Sequence, residues 1–208
     1  MEKMNKYLLP LGMIGALFYI VHTVLGQILW PEYNPISTDI SSLTADGSPH
    51  ASLLKIFTSI YGICMILFVI ALIKKASNNL LKYGFIVLII MQLTSMIGYS
   101  FFPLTQNKTE MNFQNMMHIV VTVIIVFTTI ASSFLIAFGY LRQETTKQLG
   151  KLTLFMAILI TLFGVLNPIS MSLHLNVIGL TERLVIYTIQ ALMFILSFYY
   201  SFINESCP

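Results

Sequence analysis

The sequence predicts an all-α fold, a polytopic transmembrane bundle of six helices with a short interfacial helix in the first outer loop. Three observations predict it. Of 208 residues 57% are hydrophobic and 9% are charged, whereas a soluble domain carries about 25% charged residues. Eleven basic and eight acidic side chains cannot cover a core that also holds 15 Phe, 10 Tyr and 12 Met. Finally, six mostly apolar stretches are separated by short polar segments, each near the ~20 residues that a helix needs to cross a ~30 Å hydrocarbon layer. This composition excludes a soluble enzyme, a nucleic-acid binder and a disordered chain. The formal charge of +3 reports orientation rather than a polyanionic partner.

The first span covers 7–30. Met1-Glu2-Lys3-Met4-Asn5-Lys6 ahead of it mimics the start of a signal peptide. The run is too long for one, however, and it ends in Gly26-Gln27-Ile28-Leu29-Trp30 without a small-x-small cleavage site, so it reads as an uncleaved helix. The following spans lie near 51–73, 83–104, 116–140, 152–171 and 184–202. Runs such as Ile86-Val87-Leu88-Ile89-Ile90 show no period of two, which excludes barrel strands. Inside the fifth span, Pro168 after Asn167 should kink the helix or end it early. No repeat or linker divides the chain, and residues 1–208 read as one domain. Cys64 inside the second span and Cys207 at the far terminus are not expected to pair. The sequons Asn107-Lys108-Thr109 and Asn204-Glu205-Ser206 read as chance occurrences.

Basic residues mark the cytoplasmic side of a span. Lys3, Lys6, Lys74, Lys75, Lys82, Arg142, Lys147 and Lys151 fall in alternate segments, with Lys55, Lys108 and Arg183 on the other side. Both termini are therefore expected in the cytoplasm and the protein in the cell membrane. The connection 31–50 is longer than the others. It offers Ser37 or Thr38 as a helix N-cap, Gly47 as a stop and Ser48-Pro49 as the start of the next helix, hence the short helix across the outer mouth.

Polar and small residues repeat on one face of each span at helical spacing. The stripes include Tyr19 and His22, then Lys55, Ser59 and Gly62, then Gln92, Ser95 and Tyr99. Asn115, His118 and Thr122 follow, then Asn167, Ser170 and His174, and last Arg183, Tyr187 and Gln190. Such groups cost free energy in lipid and should face the bundle interior; Ser, Thr, Gly and Gln also serve simply to glue helices together. We expect an outward-facing polar pocket lined by His22, Asp39, His118, Asn167, His174 and Arg183. Arg183 would pair an anionic group of a lipid headgroup or small polar ligand, or else Asp39 or Asp46.

Enzymatic alternatives stay open. A membrane-embedded lipid hydrolase could draw zinc ligands from His50, His118, His174 and Asp46, although no H-E-x-x-H or H-x-x-x-H spacing occurs. It could instead use Ser41 or Ser42 as nucleophile, without a G-x-S-x-G elbow. A haem between His22 and His118 would need facing helices at matching depth. A non-catalytic scaffold or immunity protein is the third class. No cofactor, no metal and no nucleic-acid partner is expected, and membrane lipids are the expected partners. The small pair Gly12 and Ala16 could pack within the chain or in a homo-oligomer.

The segment Tyr33-Asn34-Pro35-Ile36-Ser37-Thr38-Asp39-Ile40-Ser41-Ser42-Leu43, followed by Thr44-Ala45-Asp46-Gly47-Ser48-Pro49-His50-Ala51, resembles a bacterial six-helix integral membrane family of unknown function, the domain of unknown function 998 type. The resemblance covers nearly the whole chain and implies six spans in a bacterial inner membrane. It implies no activity. Where that family more typically shows Ser-x-Leu-Gly, this chain has Ser41-Ser42-Leu43-Thr44, so the resemblance does not carry a glycine turn to this position.

Overall fold

The computed structural model describes residues 6–105, 107, 108 and 110–203. Met1 to Asn5, Thr109 of the first sequon, the second sequon and Cys207 lie outside the described residues. Among the described residues six helices are long and apolar enough to cross a membrane, and the chain is a multi-pass membrane protein.

Helix α1 is Leu11–Leu29, continuing an apolar span that runs Lys6–Leu29. Pro10 interrupts its first turn, and Ser197 bridges the interruption. The Ser197 hydroxyl donates to the Leu9 carbonyl (2.6 Å) and accepts the Met13 N–H (3.0 Å), supplying a partner to backbone groups that a helix start leaves over. Helix α2 is Ala51–Lys75, with Lys74 and Lys75 at its negative dipole end. A turn at 76–78 leads into α3, Asn79–Phe101, capped by Asn78 through the Leu81 N–H. Helix α4 is Phe113–Leu141, capped by Asn112. Helix α5 is Lys147–Ser172 and α6 is Ile178–Phe198, which ends in a wider turn over Tyr199–Ile203.

Consecutive helices pack together and α1 packs on α6, so the six form a closed ring. Close approach depends on missing side chains. A Cβ at Gly84 would stand 2.7 Å from Ile136, and one at Gly139 2.7 Å from Leu81. Gly12 meets Phe68 and Ser197, so the Gly12 and Ala16 pair packs within the chain. The ring interior holds Phe68, Leu72, Leu81, Phe85, Ile136, Tyr140 and Tyr200. Ile28, Ile63, Phe127, Phe155 and Leu162 are exposed on the outside, which suits a surface bathed in hydrocarbon rather than water.

Three expectations from the sequence need correction. The sixth helix begins at Ile178 rather than near 184. Glu182 and Arg183 look like the polar end of a span, but they are helical because the 31–50 loop buries them. Pro168 lies inside α5, which continues one turn to Ser172 instead of ending there or breaking open. In the loop, the short helix is a 3-10 turn over Ile40–Thr44 preceded by extended Asp39. Ser37 and Thr38 do not cap it: they lie in an earlier turn closed by Thr38 N–H on the Asn34 carbonyl. Nor do Ser48 and Pro49 open α2. Gly47 and His50 take left-handed backbone (φ 81° and 58°), and Ser48 gives its hydroxyl to the Ser42 carbonyl (2.5 Å).

Candidate functional site

The 31–50 loop is fastened across one end of the ring, here called the loop end, by neighbouring residues of α6. Arg183 Nη1 donates to the carbonyls of Pro35 (2.7 Å), Thr38 (3.2 Å) and Gly179 (2.9 Å). Its Nη2 donates to the Tyr33 hydroxyl (2.6 Å), and the guanidinium lies 5.3 Å from the centre of that ring. The Tyr33 hydroxyl in turn faces the carbonyls of Thr38 and Asp39. Burial pushes the Tyr33 phenol up to about 12, with Arg183 opposing the rise, so the ring stays a neutral donor at physiological pH. One residue earlier, Glu182 accepts the Ile40 N–H at 2.5 Å and the Ser41 hydroxyl at 3.3 Å. The adjacent opposite charges thus satisfy backbone that would otherwise be buried without partners.

Gly179 makes this contact sterically feasible. A Cβ there would stand 2.2 Å from the Thr38 oxygen and 2.6 Å from the Pro35 oxygen. Gly179→Ala is therefore expected to push the loop off α6, at a cost of about 1–3 kcal/mol typical of overpacking. Faster proteolysis within 31–50 in the purified variant would report it, and an unchanged digestion rate would contradict it. A second tie runs to the α3–α4 connection, where Lys108 pairs with Asp39 at 2.5 Å and contacts Ser42, itself bonded to Asp39. Asn115 holds that connection through Thr105, Asn107 and Glu110.

Beneath the 3-10 turn lies a cavity of about 330 Å³. Its walls are Tyr19 and His22 of α1, Lys55, Thr58, Ser59, Tyr61 and Gly62 of α2, Gln92, Ser95, Met96, Tyr99 and Ser100 of α3, and His118 of α4. Ile40, Ser41 and Thr44 roof it, with Pro103 and Leu104 beside them. Several walls are braced. Tyr99 stacks on His118 (4.6 Å between ring centres) and bonds Thr122 at 3.0 Å, while Gln190 of α6 donates to the Tyr61 hydroxyl at 3.0 Å. His118 Nδ1 meets the Phe102 carbonyl at 2.8 Å. A carbonyl only accepts, so Nδ1 carries the proton and Nε2 is the acceptor of the neutral ring.

His22 is different. It is 2% exposed, and among the described residues neither of its ring nitrogens has a hydrogen-bond partner; nor has Nε2 of Gln92, which is 1% exposed. Buried polar atoms are nearly always satisfied, and leaving one unmade costs about 1–3 kcal/mol. Both groups line the same cavity.

Of the six residues expected at the pocket, the structure places His22 and His118 on the cavity wall. Arg183 and Asp39 belong to the fastening of the roof instead, and Arg183 bonds neither Asp39 nor Asp46: the first faces Lys108 and the second Lys55, at 3.5 Å. Asn167 and His174 do not line the cavity. The Asn167 carbonyl accepts the Ser170 hydroxyl, and His174 is exposed on the α5–α6 turn with φ 52°. His50 is likewise exposed. Among the described residues no three His, Cys, Asp or Glu come together as a metal-binding group. Glu182 and Tyr61 were not singled out from the sequence. An acidic residue beside a basic one at the start of an apolar run was the available signal for the first; nothing marked the second.

The family model described as Protein of unknown function (DUF998) matches residues 13–199, and the chain belongs to that family. No curated protein and no solved structure matches it.

Proposed function

We propose that this DUF998 protein binds a small polar ligand or lipid headgroup in the cavity beneath its 31–50 loop. The loop faces outward from the cell membrane, and both termini are cytoplasmic. The observation that carries the reading is the unpartnered His22, enclosed on the wall of a cavity that Gln92 also lines. His22, Gln92 and His118 contact the ligand. Arg183 and Asp39 act on it indirectly, by holding the roof. The opposite half of the ring is filled by Phe68, Phe85, Tyr140 and Tyr200, which suits a site closed toward that end and a binding role rather than passage. Orientation rests on charge: Lys6, Lys74, Lys75, Lys82, Arg142, Lys147 and Lys151 lie at the end away from the loop. Of the loop-end cations, Lys108 and Arg183 are engaged within the protein, and Lys55 has an exposed contact of 3.5 Å with Asp46.

Native mass spectrometry with elemental analysis, on protein taken from its own membrane in a mild detergent, tests this. The expected result is one retained phospholipid or polar molecule per chain, displaced by mutation of Gln92 to Ala. Stoichiometric zinc would favour the hydrolase class instead, and an empty chain would favour a scaffold.

A further inference from the structure

The cavity is deep on one side and open on another, and the opening lies between two helices. Its most enclosed walls are His22 and Gln92, whereas Lys55 and Ser59 of α2 and Ser100 of α3 are exposed as well as lining. Helices α2 and α3 are joined at the far end by the 76–78 turn and meet where Gly62 packs against Met96. Above that level both contribute polar side chains to the cavity. Next to the mouth, one turn from Ser59 or Ser100 along the helix surface, stand the exposed Ile56, Ile63 and Ile97. A polar slot thus opens sideways onto an apolar flank. Lys55 lies about 6 Å along α2 from its start, at 1.5 Å per residue, which is headgroup depth in a bilayer.

The wall chemistry narrows the occupant. Among the described lining residues Lys55 is the one formal cation, and no carboxylate is present. Of the nearby acids, Glu182 is engaged by Ile40 and Ser41 and Asp39 by Lys108, while Asp46 meets Lys55 only through an exposed contact of 3.5 Å that a phosphate at Lys55 would displace. Deeper in, Tyr19, Gln92 and His22 offer neutral donors and acceptors, which suit hydroxyls and do nothing to balance an ammonium. Resting on the binding role proposed above, we propose that the ligand is a phosphate ester carrying free hydroxyls, presented as the headgroup of a phospholipid. The lipid enters between α2 and α3, its phosphate at Lys55 and its hydroxyls toward Gln92 and His22. Its acyl chains stay outside on Ile56, Ile63 and Ile97.

The test uses full-length protein in vesicles of equal phosphatidylglycerol and phosphatidylethanolamine, extracted in mild detergent and weighed by native mass spectrometry, with and without soluble glycerol phosphate. The wild type is expected to retain one phosphatidylglycerol with a preference of about tenfold or more, the scale of one hydrogen bond. Lys55→Gln should weaken retention of both lipids through the phosphate they share, and Gln92→Ala should erase the preference, which rests on the hydroxyls. Ser59→Trp and Ser100→Trp, at exposed positions on either side of the mouth, should each lose the lipid while unfolding at the temperature of lipid-free wild type. Equal retention of both lipids, or full retention by both Trp variants, would overturn the inference. Saturation by glycerol phosphate with no lipid retained would assign the same chemistry to a soluble source and overturn the lipid route. Retention of an unrelated polar molecule would overturn this inference and leave the binding role standing, whereas a chain empty under every condition would overturn both.

Discussion

Replacing Arg183 with alanine is expected to unfasten the 31–50 loop and destabilise the protein by about 1.5–3 kcal/mol, the range for hydrogen bonds made by a charged group. Three carbonyls and the Tyr33 hydroxyl would each lose a donor. Glu182, half-buried, would then stand beside no neighbouring cation on its own helix. Lysine should restore little, because its single ammonium cannot reproduce a fork that reaches Pro35 and Thr38 through one nitrogen and Tyr33 through the other. Thermal unfolding in detergent, read together with proteolysis inside 31–50, measures this. A wild-type melting temperature in the alanine variant would show that the loop holds itself in place.

The second large effect has the opposite sign. His22→Phe is expected to raise the stability of ligand-free protein by about 1–3 kcal/mol, because it removes two buried nitrogens that lack partners. The Tyr19 ring, edge-on at 5.5 Å, can pack against the new ring. The same variant should lose the stabilisation that ligand gives the wild type. A residue kept only for packing would behave differently, with phenylalanine neutral or destabilising and ligand response intact. Melting temperatures with and without added lipid separate the two. A destabilised His22→Phe protein that still responds to lipid would contradict the account.

Much of this arrangement was legible in the sequence, and the limits are physical. Six spans followed from length and polarity alone, because a bilayer imposes a fixed apolar length on any helix that crosses it. The polar stripes on the first four spans contain Tyr19, His22, Lys55, Ser59, Gln92, Ser95, Tyr99 and His118, which the structure brings to one cavity. Helical periodicity says which residues share a face; it does not say which neighbour that face meets. Asn167 and His174 obey the same spacing and line no part of the cavity. Arg183 was read as a ligand-pairing cation because a lone charge beside an apolar run suggests one, but its partners are backbone carbonyls 145 and 148 residues away in sequence. No local pattern encodes those contacts. Glu182 was overlooked and the start of α6 was set too late for the same reason: the loop that buries both charges is distant in sequence. Tyr61 escaped notice because a tyrosine in an apolar span reads as core until its Gln190 partner is seen.

The most direct test of the central claim is an experimental density map of the wild-type protein in a lipid nanodisc, examined at the cavity beneath Ile40–Thr44. The account predicts density for a bound molecule within hydrogen-bond distance of His22 and of Gln92 Nε2, under a roof held by Arg183 and Glu182. A cavity closed by side-chain repacking, with His22 and Gln92 bonded to protein groups, would contradict it.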